Sequence, residues 1–413
     1  MYYIGIDWED KGYTVRMVEE SGESTTRVLN IKKKNEEFGR LIEWIREKAK
    51  STEDVLIGIE RDRDPLVDFL LSLGYRLYLI DPNQVDSFRN RYSHSGKKDD
   101  GFDAYVIANA VRTDSNQLRG IKKKSETTRR IEFLYRQRET AVNDRGRLTN
   151  RLKSFLKEYF PAFLEFFSNI DCPTALAFLQ KYPTFEDVKG LSKEDIRAFL
   201  RNHRYYSSKG VERIWRVLQE EQIKIDAVIV ESRKKAVISS TKMIQLLNEE
   251  INGYKKDLGD LLNEEKEGVG GICKSLPGAG VVLASGLRII LGEDRERYSD
   301  RSEIASLSGI VPVTKQSGDY KKVFFRFGCN HLFRNIFTTF AYTSAKESVW
   351  AKAKYNKYRA DGKTHYHALR CLANAWLKII FVLWINGEKY DENKHLASAT
   401  RRRISKDLAK KIA

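Results

Sequence analysis

The sequence has few cysteines, and none stand in the close pairs that bind a metal. Cys172, Cys273, Cys329 and Cys371 lie far apart in a chain of 413 residues. This spacing argues against a zinc module and against a disulfide framework. We therefore expect reduced thiols in a cytoplasmic protein.

Neither a secretion signal nor a membrane span is expected. The N-terminus, Met-Tyr-Tyr-Ile-Gly-Ile-Asp, has neither a basic region nor a cleavage site, so no signal peptide is expected. The longest apolar run, near residues 376–385, is interrupted by Lys378 and is too short to cross a bilayer. No membrane partner is expected.

Negative charge is in short supply relative to positive charge. The chain has 74 Lys and Arg against 57 Asp and Glu, a net charge of +17. Such an excess favours a polyanionic partner, with nucleic acid ahead of a membrane surface, although a basic protein without that partner has the same composition. An apolar content of 41% indicates a globular chain, long enough for two or three domains.

Residues 1–120 alternate strand and helix patterns. Strands are expected at 2–8, 13–18, 27–31, 55–60 and 76–80, and helices at 36–48, at 65–73 and from residue 100 onward, with a turn at 81–83. This order predicts an α/β sheet in which three antiparallel strands are followed by parallel ones.

Four carboxylates fall where this sheet would build a site. Asp7 closes the first strand and Glu60 the fourth, so parallel pairing brings both to one edge. Asp100 and Asp103 share a face in the first turn of the next helix. Carboxylates held together repel unless a cation lies between them. Two Mg²⁺ ions about 4 Å apart would satisfy them and clamp a phosphodiester. Acids are also common at ordinary helix starts, so spacing alone leaves both interpretations open.

The same residues resemble a known family. Gly5-Ile6-Asp7, Ile59-Glu60 and Lys-Asp-Asp-Gly-Phe-Asp-Ala at 98–104 are similar to the DEDD tetrad of bridge-RNA-guided insertion-sequence transposases. That resemblance implies a RuvC-like, ribonuclease-H-type mixed sheet in which Asp7, Glu60, Asp100 and Asp103 bind Mg²⁺, with Mn²⁺ as a substitute. The basic residues nearby are candidate phosphate contacts, namely Arg89, Arg91, Lys97 and Lys98, although a solvated surface charge is the alternative for each. The family usually has Thr where Asp99 stands, so the role of Asp99 stays open.

Residues 121–270 have the pattern of long, charged helices around a small helical insert at 169–207. Helices at 129–160 and 211–267 predict an antiparallel hairpin whose apolar stripe needs a partner. The partner is either a second copy, through a coiled-coil-like contact, or another part of the same chain. The resembling family has a coiled-coil linker here that supports dimerisation and RNA contact, which favours a homodimer or homotetramer.

Residues 271–395 predict a mainly helical domain, and 396–413 form a basic tail. Gly278 and Gly280 precede a helix at 281–291 and look like the hairpin of a helix-hairpin-helix element, whose free N–H groups hold a phosphate. The family's Arg-Gly-Asn-x-x-Leu-Arg pattern is similar to residues 326–334, which implies that Arg326 and Arg334 grip DNA phosphate.

Ser317 lies in a Gln-Ser-Gly sequence that is ordinarily a turn in an exposed loop. It is similar to the Gln-Ser-Gly of the same transposases, whose serine attacks a DNA phosphate. The resemblance therefore implies that Ser317 forms a phosphoserine link to DNA. Serine needs activation and charge neutralisation, which the metals of the tetrad could supply if the two domains meet, within one chain or between subunits.

The resulting interpretation is a DNA transposase of prokaryotic cytoplasm, acting at the nucleoid. By resemblance, a structured guide RNA pairs with donor and target DNA, and the carboxylates and Ser317 cut and rejoin strands. Two alternatives stay open. One is a junction-resolving endonuclease that uses metal-activated water, and the other is a non-catalytic nucleic-acid-binding protein.

Overall fold

The computed structural model describes residues 1–24, 27–92, 99–221, 225–318 and 320–397. The chain divides into two compact units, Met1–Ser125 and Glu126–Ala413. Lys97, Lys98 and most of the basic tail, from residue 398, lie outside the described residues. The finer division into domains at 1–120, 121–270 and 271–395 stays a prediction.

The N-terminal unit is a mixed sheet with four helices. Its strands are β1 (Tyr2–Trp8), β2 (Gly12–Glu19), β3 (Leu29–Lys32), β4 (Val55–Ile59), β5 (Arg76–Leu79) and β6 (Arg119–Ile121). Its helices are α1 (Asn35–Arg46), α2 (Pro65–Ser72), α3 (Pro82–Tyr92) and α4 (Asp100–Asp114), and a short 3-10 turn covers Thr52–Asp54.

The six strands are ordered β3-β2-β1-β4-β5-β6. Strands β1, β4 and β5 run parallel to one another, whereas β2, β3 and β6 are antiparallel to their neighbours. Apolar side chains from both faces of the sheet are buried against the helices. The predicted mixed α/β sheet is confirmed.

Two expectations for this unit need correction. Residues 81–83 are not an isolated turn, because Pro82 begins helix α3. Proline suits the first position of a helix, where its missing N–H would have no partner. Strand β6 was not predicted, since three residues that include Gly120 are too few to show alternation.

Helix α4 lies close against β1 because the strand beneath it has no side chain at the point of contact. Gly5 and Gly58 are register partners on β1 and β4. A Cβ atom on Gly5 would overlap the carbonyl oxygen of Ala104 and lie 2.5 Å from the nitrogen of Ala108. A Cβ atom on Gly58 would lie 2.7 Å from a methyl group of Ile107. These two glycines therefore set how near the start of α4 comes to the sheet.

The C-terminal unit is mainly helical. Its helices are α5 (Glu126–Tyr159), α6 (Phe163–Phe166), α7 (Pro173–Lys181), α8 (Phe185–Val188), α9 (Lys193–Asn202), α10 (Ser208–Leu218), α11 (Ala227–Glu264), α12 (Val269–Ser275), α13 (Val281–Leu291), α14 (Arg301–Leu307), α15 (His331–Glu347), α16 (Val349–Ala360) and α17 (His365–Asn386). A two-stranded hairpin, β7 (Val313–Ser317) and β8 (Tyr320–Phe324), separates α14 from α15.

Helices α5 and α11 pack on each other as an antiparallel pair within one chain. Arg145 Nη1 donates to Asn248 Oδ1 at 2.9 Å, and further along Arg233 pairs with Glu158 at 2.5 Å. Helices α6 to α10 form a phenylalanine-rich core with the adjoining ends of this pair. Part of the apolar stripe is thus covered within the chain, while the Met243 side chain stays half exposed. The coiled-coil contact between two copies stays a prediction.

The apolar run near residues 376–385 lies within the longer helix α17. Helix α17 has 22 residues and is long and apolar enough to cross a membrane. It packs instead into the core of its unit, where Trp376 and Trp384 are fully buried. Trp376 Nε1 donates to Ser344 Oγ at 2.8 Å, and Trp384 Nε1 donates to Gly292 O at 3.0 Å. These contacts make α17 the core helix of the C-terminal unit.

Candidate active site

Asp7 and Glu60 lie at the same edge of the sheet. The parallel register of β1 and β4 ends with the pair Ile6 and Ile59, and the two acids each follow by one residue. Asp7 is 8% exposed and Glu60 is partly exposed. Parallel partners direct equivalent side chains to the same face, so these two carboxylates are neighbours.

The start of α4 brings two more carboxylates to this edge. Asp99 caps the helix, and its Oδ1 accepts from the N–H of Gly101 at 2.9 Å and of Phe102 at 3.3 Å. Asp100 is exposed in the first turn, whereas Asp103 is 3% exposed. The cap engages one oxygen of Asp99, while Asp100 and Asp103 share the first turn of the helix, as the spacing predicted.

The four carboxylates act on one another electrostatically. The pKa of Asp7 is raised to about 7, first by burial and then by the charges of Glu60, Asp103 and Asp100, in that order. The N–H of Trp8 lowers it by a smaller amount. A carboxyl group that is half neutral near pH 7 is the expected state for a cluster of acids without a cation.

A guanidinium group forms an ion pair with one of these acids. Arg89 Nε donates to Asp103 Oδ1 at 2.8 Å, and its Nη2 lies 2.7 Å from Oδ2. Its Nη1 contacts Asp86 at 2.6 Å. Arg89, predicted as a phosphate contact, is therefore engaged by two carboxylates. Arg91, predicted for the same role, is largely exposed and lies 3.7 Å from Asp114.

Across the described ranges of the chain, no three Asp, Glu, His or Cys side chains are arranged closely enough to hold a metal ion. One of the four acids, Asp103, is paired with Arg89. The donor set nevertheless suits a hard divalent cation, which prefers carboxylate oxygens. The pKa of Asp7 is raised first by burial and then by three neighbouring carboxylates, and a bound cation would favour its ionised form, so the residues present fit such an ion.

An open cleft borders the carboxylates and contains polar groups that the sequence analysis missed. It is lined in part by Glu9, Thr14, Asn30, Asp99 and Asp100. The hydroxyl of Thr14 lies 2.6 Å from a carboxylate oxygen of Glu9 and 3.1 Å from Asn30 Oδ1. The signal that could have found them is strand pairing, because Thr14 is the register partner of Asp7 on β2.

Trp8 is held rigidly beside Asp7. Its Nε1 donates to Asp64 Oδ2 at 3.1 Å, and the hydroxyl of Tyr13 also donates to Asp64. Asp64 in turn caps helix α2 through the N–H of Leu66. The guanidinium of Arg61 lies 3.4 Å from the Trp8 ring. This network fixes the end of β1, from which Asp7 projects.

Ser317 lies at the tip of the β7–β8 hairpin. The Gln-Ser-Gly pattern predicted a turn residue in an exposed loop, whereas Ser317 is the last residue of β7 and pairs with Tyr320. Gly318, which follows, has a φ of 55°, a conformation suited to glycine at a tight turn. The Ser317 side chain is exposed, so its hydroxyl is accessible to a ligand.

Two arginines lie over one phenylalanine at the base of this hairpin. Arg334 and Arg370 are 4.6 Å and 4.8 Å from the Phe325 ring centroid. Arg334 also donates to the carbonyl of Arg326, and Arg326 Nε donates to Val311 O at 3.4 Å. Burial lowers the pKa of Arg370, and the Arg334 charge lowers it further. The sequence pattern indicated Arg326 and Arg334 but not Arg370, which is remote in sequence.

Gly278 and Gly280 differ in their surroundings. Gly278 has a φ of 73°, and a Cβ atom there would lie 2.8 Å from the backbone of Thr343 on α15. Gly278 therefore allows close packing within the unit. Gly280 is the exposed N-cap residue of α13, with open space around it. The predicted helix at 281–291 is confirmed, and its phosphate-binding role stays a prediction.

Comparison with known proteins identifies the family. Residues 4–161 match the family model for the DEDD domain of IS110 transposases, described as "Transposase", and residues 271–356 match "Transposase IS116/IS110/IS902 family". Together these matches cover more than half of the chain.

The chain is also similar over nearly its full length to bacterial insertion-element proteins. It is 26% identical over 403 residues to the IS117 mini-circle protein of Streptomyces coelicolor, covering 96% of each chain. It is 24% identical over 391 residues to the 44.8 kDa protein of insertion element IS116 from Streptomyces clavuligerus, covering 92% of this chain and 93% of that one. The protein thus belongs to the IS110/IS116 family and is a DNA transposase with an N-terminal DEDD domain.

Proposed function

We propose that this transposase cuts and rejoins DNA by a serine mechanism assisted by divalent cations. Asp7, Glu60, Asp100 and Asp103 would hold the cations, preferably Mg²⁺ with Mn²⁺ as a substitute, and Ser317 would attack the scissile phosphate. The observation that supports this most directly is the pKa of Asp7, raised to about 7 by burial and by three neighbouring carboxylates. Strongly perturbed pKa values cluster at functional sites, where a bound ligand can relieve the repulsion between like charges.

The residues of the N-terminal unit have separate roles in this proposal. The buried pair Asp7 and Asp103 would supply fixed oxygen ligands, and the more exposed Glu60 and Asp100 would face the substrate. Divalent cations, when bound, would neutralise phosphate charge and favour ionisation of a hydroxyl group. Arg89 would leave Asp103 as the cation takes its place, and its guanidinium would then be free to contact a phosphate.

The covalent step exchanges one ester for another. The Ser317 oxygen forms a bond to phosphorus while the bond from phosphorus to the 3′ oxygen breaks. The serine proton is lost and the departing oxygen gains one, leaving a 3′-hydroxyl. In rejoining, a 3′-hydroxyl attacks the phosphoserine and releases Ser317. The exposed position of Ser317 at a hairpin tip suits this attack.

A structured guide RNA would direct the reaction, with a homodimer or homotetramer as the working assembly at the prokaryotic nucleoid. The net charge of +17 supports this part of the proposal, because it suits several polyanionic strands at once. Membership of the family supports it as well. Sequencing of the nucleic acid that co-purifies with the protein tests the RNA directly.

The mechanism is tested with a labelled, nicked DNA substrate and denaturing gels. We expect wild-type protein to leave a covalent protein–DNA band and the Ser317→Ala variant to leave none. Thr314→Ala, which removes an exposed hydroxyl on the opposite face of β7, should retain the band. Asp100→Ala should abolish cleavage while DNA binding is kept. Asp10→Ala should leave both cleavage and DNA binding unchanged. Full cleavage by Ser317→Ala would instead identify water as the nucleophile, as in a junction-resolving endonuclease.

A further inference from the structure

The β7–β8 hairpin exposes apolar and basic side chains along almost its whole length. Every side chain in β8 and all in β7 except Val313 are exposed. Tyr320 is 51% exposed and Phe324 is 42% exposed. An isolated two-stranded hairpin is marginally stable in water, and an exposed aromatic patch usually marks an interaction surface.

The register divides the hairpin into two chemically different faces. On one face Ser317 pairs with Tyr320, Lys315 with Lys322, and Val313 with Phe324. We call this the serine face. The opposite face consists of Gln316 paired with Lys321 and Thr314 paired with Val323.

The serine face alternates cations and aromatic rings. Lys315 Nζ is 5.7 Å from the ring centroid of Phe324, and Lys322 Nζ is 5.2 Å from that of Tyr320. Lysines beside exposed rings are the combination that binds unpaired nucleic acid, since the lysines contact phosphates and the rings stack on bases. Asp319 is the only acid in the sequence from 313 to 327.

The spacing of the face favours an unpaired strand over a duplex. Successive cross-strand pairs lie roughly 7 Å apart along a strand, about twice the 3.4 Å separation of stacked bases in a duplex. Stacked bases present only their edges in the grooves. A strand with its bases separated can place one base on a ring and a phosphate on the lysine next to it.

We propose that the serine face binds an unpaired DNA strand beside the scissile phosphate. Tyr320 and Phe324 stack on bases, Lys315 and Lys322 contact the backbone, and Tyr320 holds the base nearest to Ser317. That this strand is the one being cut rests on the proposed function. That the surface binds an unpaired strand rests on the hairpin alone.

The test uses the full chain in EDTA and a fluorescein-labelled oligothymidine of about a dozen nucleotides. We expect Lys322→Ala and Phe324→Ala to weaken binding roughly tenfold. The matched variants Lys321→Ala and Val323→Ala, on the opposite face, should bind within about twofold of wild type. Lys322→Ala should also lower the salt dependence of binding by roughly 0.7 in slope. Other basic surfaces contribute equally to all four variants, so the difference between faces reports on the hairpin.

Three outcomes would overturn the proposal. Equal losses in Lys321→Ala and Lys322→Ala would remove the distinction between faces. If these substitutions on the serine face weakened binding to a duplex of the same length more than binding to oligothymidine, an unpaired strand would be excluded. If the serine-face variants changed the oligomeric mass of the protein but bound oligothymidine as wild type does, the surface would be a protein interface. Failure of the proposed function looks different, because a fully active Ser317→Ala variant would leave the face-specific binding difference intact.

Discussion

Replacing Asp7 by Asn should make the metal-free protein more stable at pH 8. The folded state raises the pKa of Asp7 from 3.8 to about 7, and each unit corresponds to about 1.4 kcal/mol. Above pH 7, the ionised Asp7 therefore lowers the free energy of unfolding by about 4 kcal/mol. The folded protein binds more protons than the unfolded chain between about pH 4 and pH 7, so wild-type stability falls as pH rises through that window.

Thermal unfolding in EDTA measures this effect. We expect the melting temperature of Asp7→Asn to exceed that of wild type by about 10 °C or more at pH 8, and the two to converge near pH 4. Asp10→Asn, at an exposed acid, should match wild type throughout. Added Mg²⁺ or Mn²⁺ at pH 8 should stabilise wild type and leave Asp7→Asn nearly unchanged. Identical pH profiles for wild type and Asp7→Asn would refute the electrostatic coupling of the four carboxylates.

Two further predictions concern the supports of this site. Arg89→Gln should destabilise the metal-free protein by about 3 kcal/mol, because Asp103 is left buried and unpaired; saturating Mg²⁺ should recover most of the loss, and Arg91→Gln should show no loss in urea unfolding. An Arg89→Gln defect that Mg²⁺ cannot relieve would contradict the exchange between guanidinium and cation. Gly5→Ala should cost about 3 kcal/mol or more, because its Cβ overlaps the backbone of α4. Gly39→Ala, where a Cβ meets no atom within 4 Å inside helix α1, should stabilise by about 1 kcal/mol in the same assay. A tolerated Gly5→Ala would mean that α4 need not lie so near β1.

Much of the N-terminal fold followed from local patterns. Alternating strands and helices predicted the mixed sheet because apolar periodicity reports which faces are buried. The ends of β1 and β4 placed Asp7 and Glu60 at one edge, since parallel strands share their direction. The helix expected from residue 100 onward begins at Asp100, because a helix start depends on residues close in sequence.

Other features depended on contacts between distant residues. The pairing of Arg89 with Asp103 joins two helices, and no spacing rule distinguishes it from a free phosphate contact. Gly5 and Gly58 act together only because β1 and β4 are neighbours. The clustering of Arg334 and Arg370 on Phe325 requires α17 to fold back beside the hairpin.

The sequence by itself determined the family motifs, the sheet and the candidate acids, because these rest on residue type and short-range order. Only the tertiary structure decided that Asp7 is buried among like charges, that Arg89 neutralises Asp103, and that Ser317 ends an exposed strand. Burial and charge pairing are properties of the space around a side chain, and that space exists only once distant segments pack together.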